Sequence, residues 1–311
     1  MNFIESIGKT PLVEIPVSGY NSRIRFLAKL EGANPGGSVK DRVAYYMVKK
    51  GLESGQLTRD KIILEATTGN TGVSLAWVSA AMGLKLKVCM PGSASMEFRM
   101  LIKVFGAELL LTPVSKGLDG AILKAYEVFE HDPERYFMAN QFNNGANPQA
   151  HYETTGVEIW EQSQGQVTHF VAGMGTTGTL MGVGRRLKEH FPGVQIIGVE
   201  PVKNHQIQGL RDLNVYYMPL PGVYDPSKIH RIIPVNDEQA LQALETLIKK
   251  HGMLLGPTSG AAFHGALELA KDAPAGSTII TVFPDRADRY MGTAQFKTLL
   301  ADSPDESHEE F

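Results

Sequence analysis

A single cysteine, Cys89, stands in the whole chain, so an intrachain disulfide framework is excluded. That usage fits a reducing compartment such as the cytoplasm. No apolar run approaches the roughly eighteen residues that span a bilayer. The opening stretch, MNFIESIGKTPLVEI, lacks a basic segment followed by an apolar one, so no signal peptide is expected. Basic blocks are missing too. The net charge is -3 and the isoelectric point is near 6.3, which argues against nucleic-acid and anionic-membrane partners. HExxH, G-x-S-x-G, a Walker A loop and paired Cys–His spacings do not occur, so no metal site is expected. The nine histidines are scattered, and His151 and His264 read as structural. Internal repeats are absent.

What is present is a long, apolar-rich chain. Its 311 residues are 43% hydrophobic, enough for one large domain or two ordinary ones. Short Val/Ile/Leu-rich runs read as strands at 25–30, 61–66, 85–90, 107–112, 167–173, 194–200 and 278–283. Their near-continuous apolarity fits strands buried on both faces of a parallel sheet. Helix-period stretches lie between them at 72–82, 97–105, 178–190 and 237–251. The alternation predicts an α/β fold with right-handed crossovers. The last stretch, ADSPDESHEEF, is acidic and reads as a frayed tail.

Three glycine-rich turns are predicted to join a strand to a helix: EATTGNTG, AGMGTTGT and LLGPTSGAA. In open α/β sheets ligands sit outside the carboxyl ends of the strands, where such turns converge. GMGTTG at 173–178 matches G-x-G-x-x-G, and Glu200 follows at about the twenty residues expected of a dinucleotide site. A dehydrogenase using nicotinamide adenine dinucleotide is therefore one reading of this turn. Against it, Thr176, Thr177 and Thr179 crowd the loop with hydroxyls that suit a terminal phosphate, and Pro201 turns the chain directly after Glu200. Glycines that merely permit a tight turn are the blandest explanation.

NPGGSVKDR, at 34–42, places Lys40 directly after a constrained turn. An isolated lysine is most often a solvated charge. The surrounding motifs change that reading. GKTPLVEI, KLEGANPGGSVKDR, EATTGNTGVSLA, GMGTTGTLMGVGR, GVEP, GPTSGAA and DRADRYM follow one another from near residue 8 to near residue 290. Together they resemble the cysteine synthase (O-acetylserine sulfhydrylase) family of fold-type II pyridoxal-phosphate enzymes. HYETTGVEIW, GLRDL and DRADRY make the B-type, cysteine synthase M-like branch the nearest form.

The resemblance implies two three-layer αβα domains with mostly parallel sheets, in the manner of the tryptophan synthase β chain. It implies a smaller domain at 41–146, a larger one built from 1–40 and 147–301, and an acidic tail at 302–311. It implies a homodimer with pyridoxal 5'-phosphate as cofactor. Lys40 would be the Schiff-base lysine and α-proton base. Asn70 would meet the cofactor's 3-hydroxyl, and Gly175, Thr176, Thr177, Gly178 and Thr179 its phosphate. Thr67, Thr68, Thr71 and Gln141 would grip the substrate carboxylate. Thr258, or else Ser259, would face the pyridine nitrogen. Such polar loop residues are singly explained by turn and capping chemistry; the set is not.

The implied activity is β-replacement through an α-aminoacrylate. It would make cysteine or S-sulfocysteine from O-acetylserine or O-phosphoserine with sulfide or thiosulfate. Arg211 falls where some relatives place an arginine at the active-site mouth and would favour an anionic substrate; a surface arginine is the equal alternative. Pro284 stands where that branch often has cysteine or a small polar residue, which tells against thiosulfate. Thr68 stands where the family usually has serine. A cystathionine β-synthase-type reaction on the same fold is the nearer enzyme alternative, and a silent binding module, which an intact Lys40 argues against, the more distant one. Cys89, in an apolar strand, reads as a buried small hydrophobe.

Overall fold

A computed structural model describes residues 3–20, 23–213 and 220–300; the acidic tail at 302–311 lies outside them. In chain order the elements are β1 Leu12–Glu14, β2 Arg25–Leu30, α1 Lys40–Glu53, β3 Ile62–Ala66, α2 Asn70–Met82, β4 Lys85–Pro91 and α3 Met96–Val104. They continue with β5 Glu108–Thr112, α4 Gly117–His131, β6 Tyr136–Met138, α5 Ala146–Ala150, α6 Gly156–Gln162, β7 His169–Gly173 and α7 Gly178–His190. The last are β8 Gln195–Pro201, β9 Arg231–Val235, α8 Asp237–His251, α9 Pro257–Ala270, β10 Thr278–Phe283 and α10 Ala294–Leu300. A π-helical turn, His151–Thr155, joins α5 to α6.

Two sheets carry the fold. One has six strands in the order β1-β2-β10-β7-β8-β9, the other four in the order β5-β4-β3-β6. All pairings are parallel except β1 on β2. The four-stranded sheet draws only on residues between β3 and β6; the six-stranded sheet draws on the chain before and after. β10 is buried at every position and β7 at four of five, as their unbroken apolarity requires. No helix among the described residues is long and apolar enough to cross a membrane.

The predicted strands form where expected, two of them (β2 and β10) with the expected bounds and the others within one or two residues. Three further strands, β1, β6 and β9, carry no sequence signal. Each is a sheet edge, β1 and β6 only three residues long, and β9 holds Pro234 and is exposed at three of five positions. One expectation is corrected. The turn at 254–262 follows α8, not a strand, and Leu255 makes only an isolated bridge to Arg286.

A buried ionic cluster joins β2, α1 and α6. Arg42 and Lys29 have fully buried side chains, as does Glu31. Arg42 donates from Nε and Nη2 to Glu31 at 2.7 and 2.8 Å, and from Nη1 and Nη2 to Glu158 at 2.6 and 2.8 Å. Lys29 Nζ meets Glu158 at 2.7 Å, and Thr10 and Asn34 donate to Glu31. Two cations face two carboxylates with their hydrogen-bonding capacity filled, the condition under which buried ions are tolerated. The cluster anchors the helix whose first residue is Lys40.

Arg42→Met would leave Glu31 buried without its main partner. A loss of about 3–5 kcal/mol of unfolding free energy is expected in urea titrations. A loss under about 1 kcal/mol would show that the cluster does not hold α1 in place.

Candidate active site

The turns at the carboxyl ends of β3 and β7 and the start of α9 line one cleft of about 780 Å³. That volume lies in the range of roughly 300–1,000 Å³ typical of small-molecule sites. Lys40, Thr67, Thr68, Asn70, Thr71, Gln141, Gly175, Thr176, Thr177, Thr179, Arg211 and Thr258 all border it. Gly178 is buried just behind, as the first residue of α7. Ser259 does not border the cleft; its Oγ is buried without a hydrogen-bond partner among the described residues.

Lys40 heads α1, and the glycines before it have a steric cause. Gly37 has φ 80°, a left-handed conformation that disfavours side chains, and a Cβ there would strike the Arg289 guanidinium. The Gly36 N–H donates to Asp41 at 2.6 Å, and its carbonyl accepts from Arg289 at 2.9 Å. Asp41 is itself fixed by Ser74 at 2.6 Å and Trp77 at 2.8 Å. The turn is thus clamped on both sides. The Lys40 amine has no hydrogen bond or ion pair among the described residues. Burial lowers its pKa, against the opposing pull of Asp285 and Glu31.

Asn70 opens α2 with its amide locked. Its Oδ1 accepts from Arg289 at 2.6 Å, and its Nδ2 donates to Asp285 at 2.5 Å. Tyr290 also donates to Asp285. Asp285 is fully buried, its other oxygen has no hydrogen-bond partner, and burial raises its pKa. Asn70 Nδ2 also turns toward the Tyr290 hydroxyl at 3.4 Å, so these partners fix which end of the Asn70 amide is the donor.

Among the residues expected to grip a substrate carboxylate, Thr71 and Gln141 meet. Thr71 donates to Gln141 Oε1 at 2.7 Å, and Gln141 Nε2 donates to the Ala66 carbonyl at 3.2 Å. Thr67 Oγ1 accepts the Gly69 N–H at 3.0 Å. Thr68 is half-buried on the cleft wall without a hydrogen bond to the described residues. Behind them Glu65, 1% exposed, accepts N–H groups of Ala66 at 2.9 Å and Gln141 at 3.1 Å. Burial outweighs those donors and pushes its carboxyl up to about 8.

At the β7–α7 turn, Thr177 is the N-cap residue with φ 67°. The N–H groups of Gly175, Thr176, Thr177 and Thr179 have no partners among the described residues. With the helix dipole behind them they form an anion cup. Asn147 donates to Thr176 Oγ1 at 2.9 Å, and Thr179 Oγ1 lies 3.3 Å from buried His151. Glu200, the acid a dinucleotide site would need, accepts the Leu213 N–H at 3.0 Å. Thr258 donates to the Gln208 carbonyl at 2.8 Å. Arg211 Nη2 lies 3.7 Å from Asp119 on α4, and its guanidinium stands 5.4 Å from the Phe142 ring. With its side chain 15% exposed, it is a half-covered residue of the cleft mouth.

Sequence reading did not assign Asp285, Arg289, Tyr290, Asn147 or Glu65. The first three sit in the DRADRYM stretch, which entered the resemblance as a motif without a role for its single residues.

These residues fit pyridoxal phosphate. The unpartnered N–H groups suit a phosphate, the unpaired Lys40 amine suits its carbonyl carbon, and the oriented Asn70 amide borders the same cleft. Among the described residues no group of three or more His, Cys, Asp or Glu could hold a metal ion.

Comparison with known proteins agrees. The family model described as pyridoxal-phosphate dependent enzyme matches residues 4–285. A cysteine synthase of Aquifex aeolicus is 43% identical over 300 residues, covering 94% of this chain and 91% of the relative. Cysteine synthase B of Salmonella typhimurium is 39% identical, covering 95% and 96%. The crystal structure of an O-acetylserine dependent cystathionine beta-synthase from Helicobacter pylori superposes with TM-score 0.89 at 36% identity, covering 95% of this chain and 98% of that one.

Glu65 gives the site a pH test. Its proton is kept in the folded state up to about pH 8 but released by the unfolded chain above its ordinary value of 4.5. Its contribution is therefore complete below that value and is lost as pH rises through 8, by up to about 1.4 kcal/mol per pH unit. Glu65→Gln should flatten the fall in urea-unfolding free energy between pH 5 and 8, read as a slope. An unchanged slope would mean that Glu65 is ionised in the fold.

Proposed function

We propose, for a chain that belongs to the cysteine synthase family of pyridoxal-phosphate-dependent enzymes, that its cleft replaces the β-substituent of an activated serine with sulfur to give cysteine. The observation that carries this reading is the unpaired Lys40 amine facing the same cleft as a turn of unpartnered N–H groups.

On this reading Lys40 holds the cofactor covalently. Gly175, Thr176, Thr177, Gly178 and Thr179 would hold its phosphate, Asn70 would meet its 3-oxygen, and Thr258 its ring nitrogen, by turning away the hydroxyl hydrogen now given to the Gln208 carbonyl. When bound, the cofactor supplies the electron sink that lets a Cα proton leave. The hydroxyl of Thr258 carries no charge that would enforce a protonated ring, so the sink is a mild one. That favours loss of a β-leaving group, which takes the electron pair, over transamination. Thr67, Thr68, Thr71 and Gln141 orient the substrate by its carboxylate. The Lys40 amine, freed when the substrate's own amine takes its place, and neutral in a larger fraction because burial lowers its pKa, would then take the α proton at Nζ. The leaving group departs from Cβ with its bonding electrons, a sulfur nucleophile forms the Cβ–S bond, and Lys40 returns the proton to Cα.

Arg211 at the mouth supports an anionic substrate, O-phosphoserine as well as O-acetylserine. A bulky thiol, as in a cystathionine-forming reaction, would have to pass Arg211, Asp119 and Phe142. The two sheets support a division into a smaller unit at 41–146 and a larger one at 1–40 with 147–301, with closure of the smaller on substrate. The lone, buried Cys89 supports a cytoplasmic setting, and a homodimer follows the resemblance.

Lys40→Ala should lose both the near-visible absorbance of the bound cofactor and cysteine formation, by at least about 10³-fold. Retained turnover would end the reading. Spectral shifts of the wild type on mixing with O-acetylserine and separately with O-phosphoserine identify the donor; a response to neither would count against the substrate class.

A further inference from the structure

Asn147 lies between the two halves of the cleft and has no role in the reaction as described so far. It is 1% exposed, at the second position of α5. Its Nδ2 donates to Thr176 Oγ1 at 2.9 Å and to the Gln141 carbonyl at 2.9 Å. An amide nitrogen has two hydrogens, so both are engaged. Its Oδ1 is buried without a hydrogen-bond partner among the described residues and packs against Gly178, where any Cβ would collide with it.

The consequence falls on Thr176. Its hydroxyl oxygen accepts from Asn147 and from the Gly178 N–H at 3.3 Å. A hydroxyl has two lone pairs and one hydrogen. With both lone pairs engaged, the hydrogen remains, and Thr176 borders the cleft. The opposite amide orientation would turn Oδ1 on Thr176, draw that hydrogen away from the cleft, and set oxygen against the Gln141 carbonyl.

We propose that Asn147 is a positioning residue that makes Thr176 an obligate hydrogen-bond donor to the phosphate and ties the anion cup to the carboxylate grip. The assignment rests on the cofactor reading above. The tie is continuous: Thr71 donates to Gln141 at 2.7 Å, Gln141 accepts from Asn147, and Asn147 donates to Thr176. It runs from the first turn of α2 to the loop after β7. Filling the cup therefore also steadies Gln141.

The test uses full-length protein stripped of cofactor and titrated with pyridoxal phosphate and, separately, with inorganic phosphate. Asn147→Ala and Thr176→Val should each weaken both by about tenfold. The double variant should be little weaker than Thr176→Val alone, because the first residue acts through the second. In reloaded enzyme Asn147→Ala should raise KM for the amino-acid substrate more than it lowers kcat. Asn147→Asp keeps the volume and puts a carboxylate beside the cup; should Asn147→Ala fail to fold, a loss beyond tenfold in this variant, relieved at low pH, supports the same assignment. Unchanged affinities, or additive effects in the double variant, overturn it. If the wild type binds phosphate in an Asn147-dependent way but takes up no pyridoxal phosphate, the cofactor reading falls and Asn147 stands. Binding of neither overturns both.

Discussion

Limited solvent access at the Lys40 amine, which has no ion-pair partner among the described residues, is the constraint on which the site depends. A lysine in water holds its proton firmly and is a poor base and nucleophile. Removing it from water lowers that hold, and the structure does so while keeping carboxylates out of direct contact. Asp285 and Glu31 act on it only through space, and each is committed elsewhere: Asp285 to Asn70 and Tyr290, Glu31 to Arg42. The ionic cluster behind α1 and the clamp on Gly36 and Asp41 hold the amine where solvent access is limited. Such groups would otherwise relax toward water.

The second feature is that the cleft is assembled from both sheets. The β3 turn and Gln141 come from the four-stranded sheet, the anion cup from the six-stranded one. Arg289 and Asn147 each bridge elements distant in sequence. Arg289 joins the turn before Lys40 to Asn70, and Asn147 joins Gln141 to Thr176. The residues proposed to hold cofactor and substrate therefore share one polar network, with few members free to move independently.

Most of this was legible where local chemistry leaves a mark. Glycine pairs mark the turn before Lys40 because the backbone must approach Arg289 and Trp77 there. Parallel strands buried on both faces announce themselves by unbroken apolarity. The ordered run of motifs pointed to the cofactor and to the residues that now border one cleft. Edge strands such as β1 and β6 were silent because three residues show no period. Glu65, Asn147 and Asp285 were silent for another reason. Each has a decisive partner far along the chain, Gln141 for Glu65 at 76 residues, Asn70 for Asp285 at 215 and Thr176 for Asn147 at 29, and no pattern in the neighbouring sequence announces those pairings. The turn at 254–262 misled because a glycine-rich helix start looks alike after a strand and after a helix.

The most direct measurement is borohydride reduction of the cofactor-loaded protein, followed by digestion and mass mapping of the modified peptide. The account predicts one pyridoxyl group, on Lys40. Modification spread over exposed lysines such as Lys49 or Lys116, or none, would contradict it.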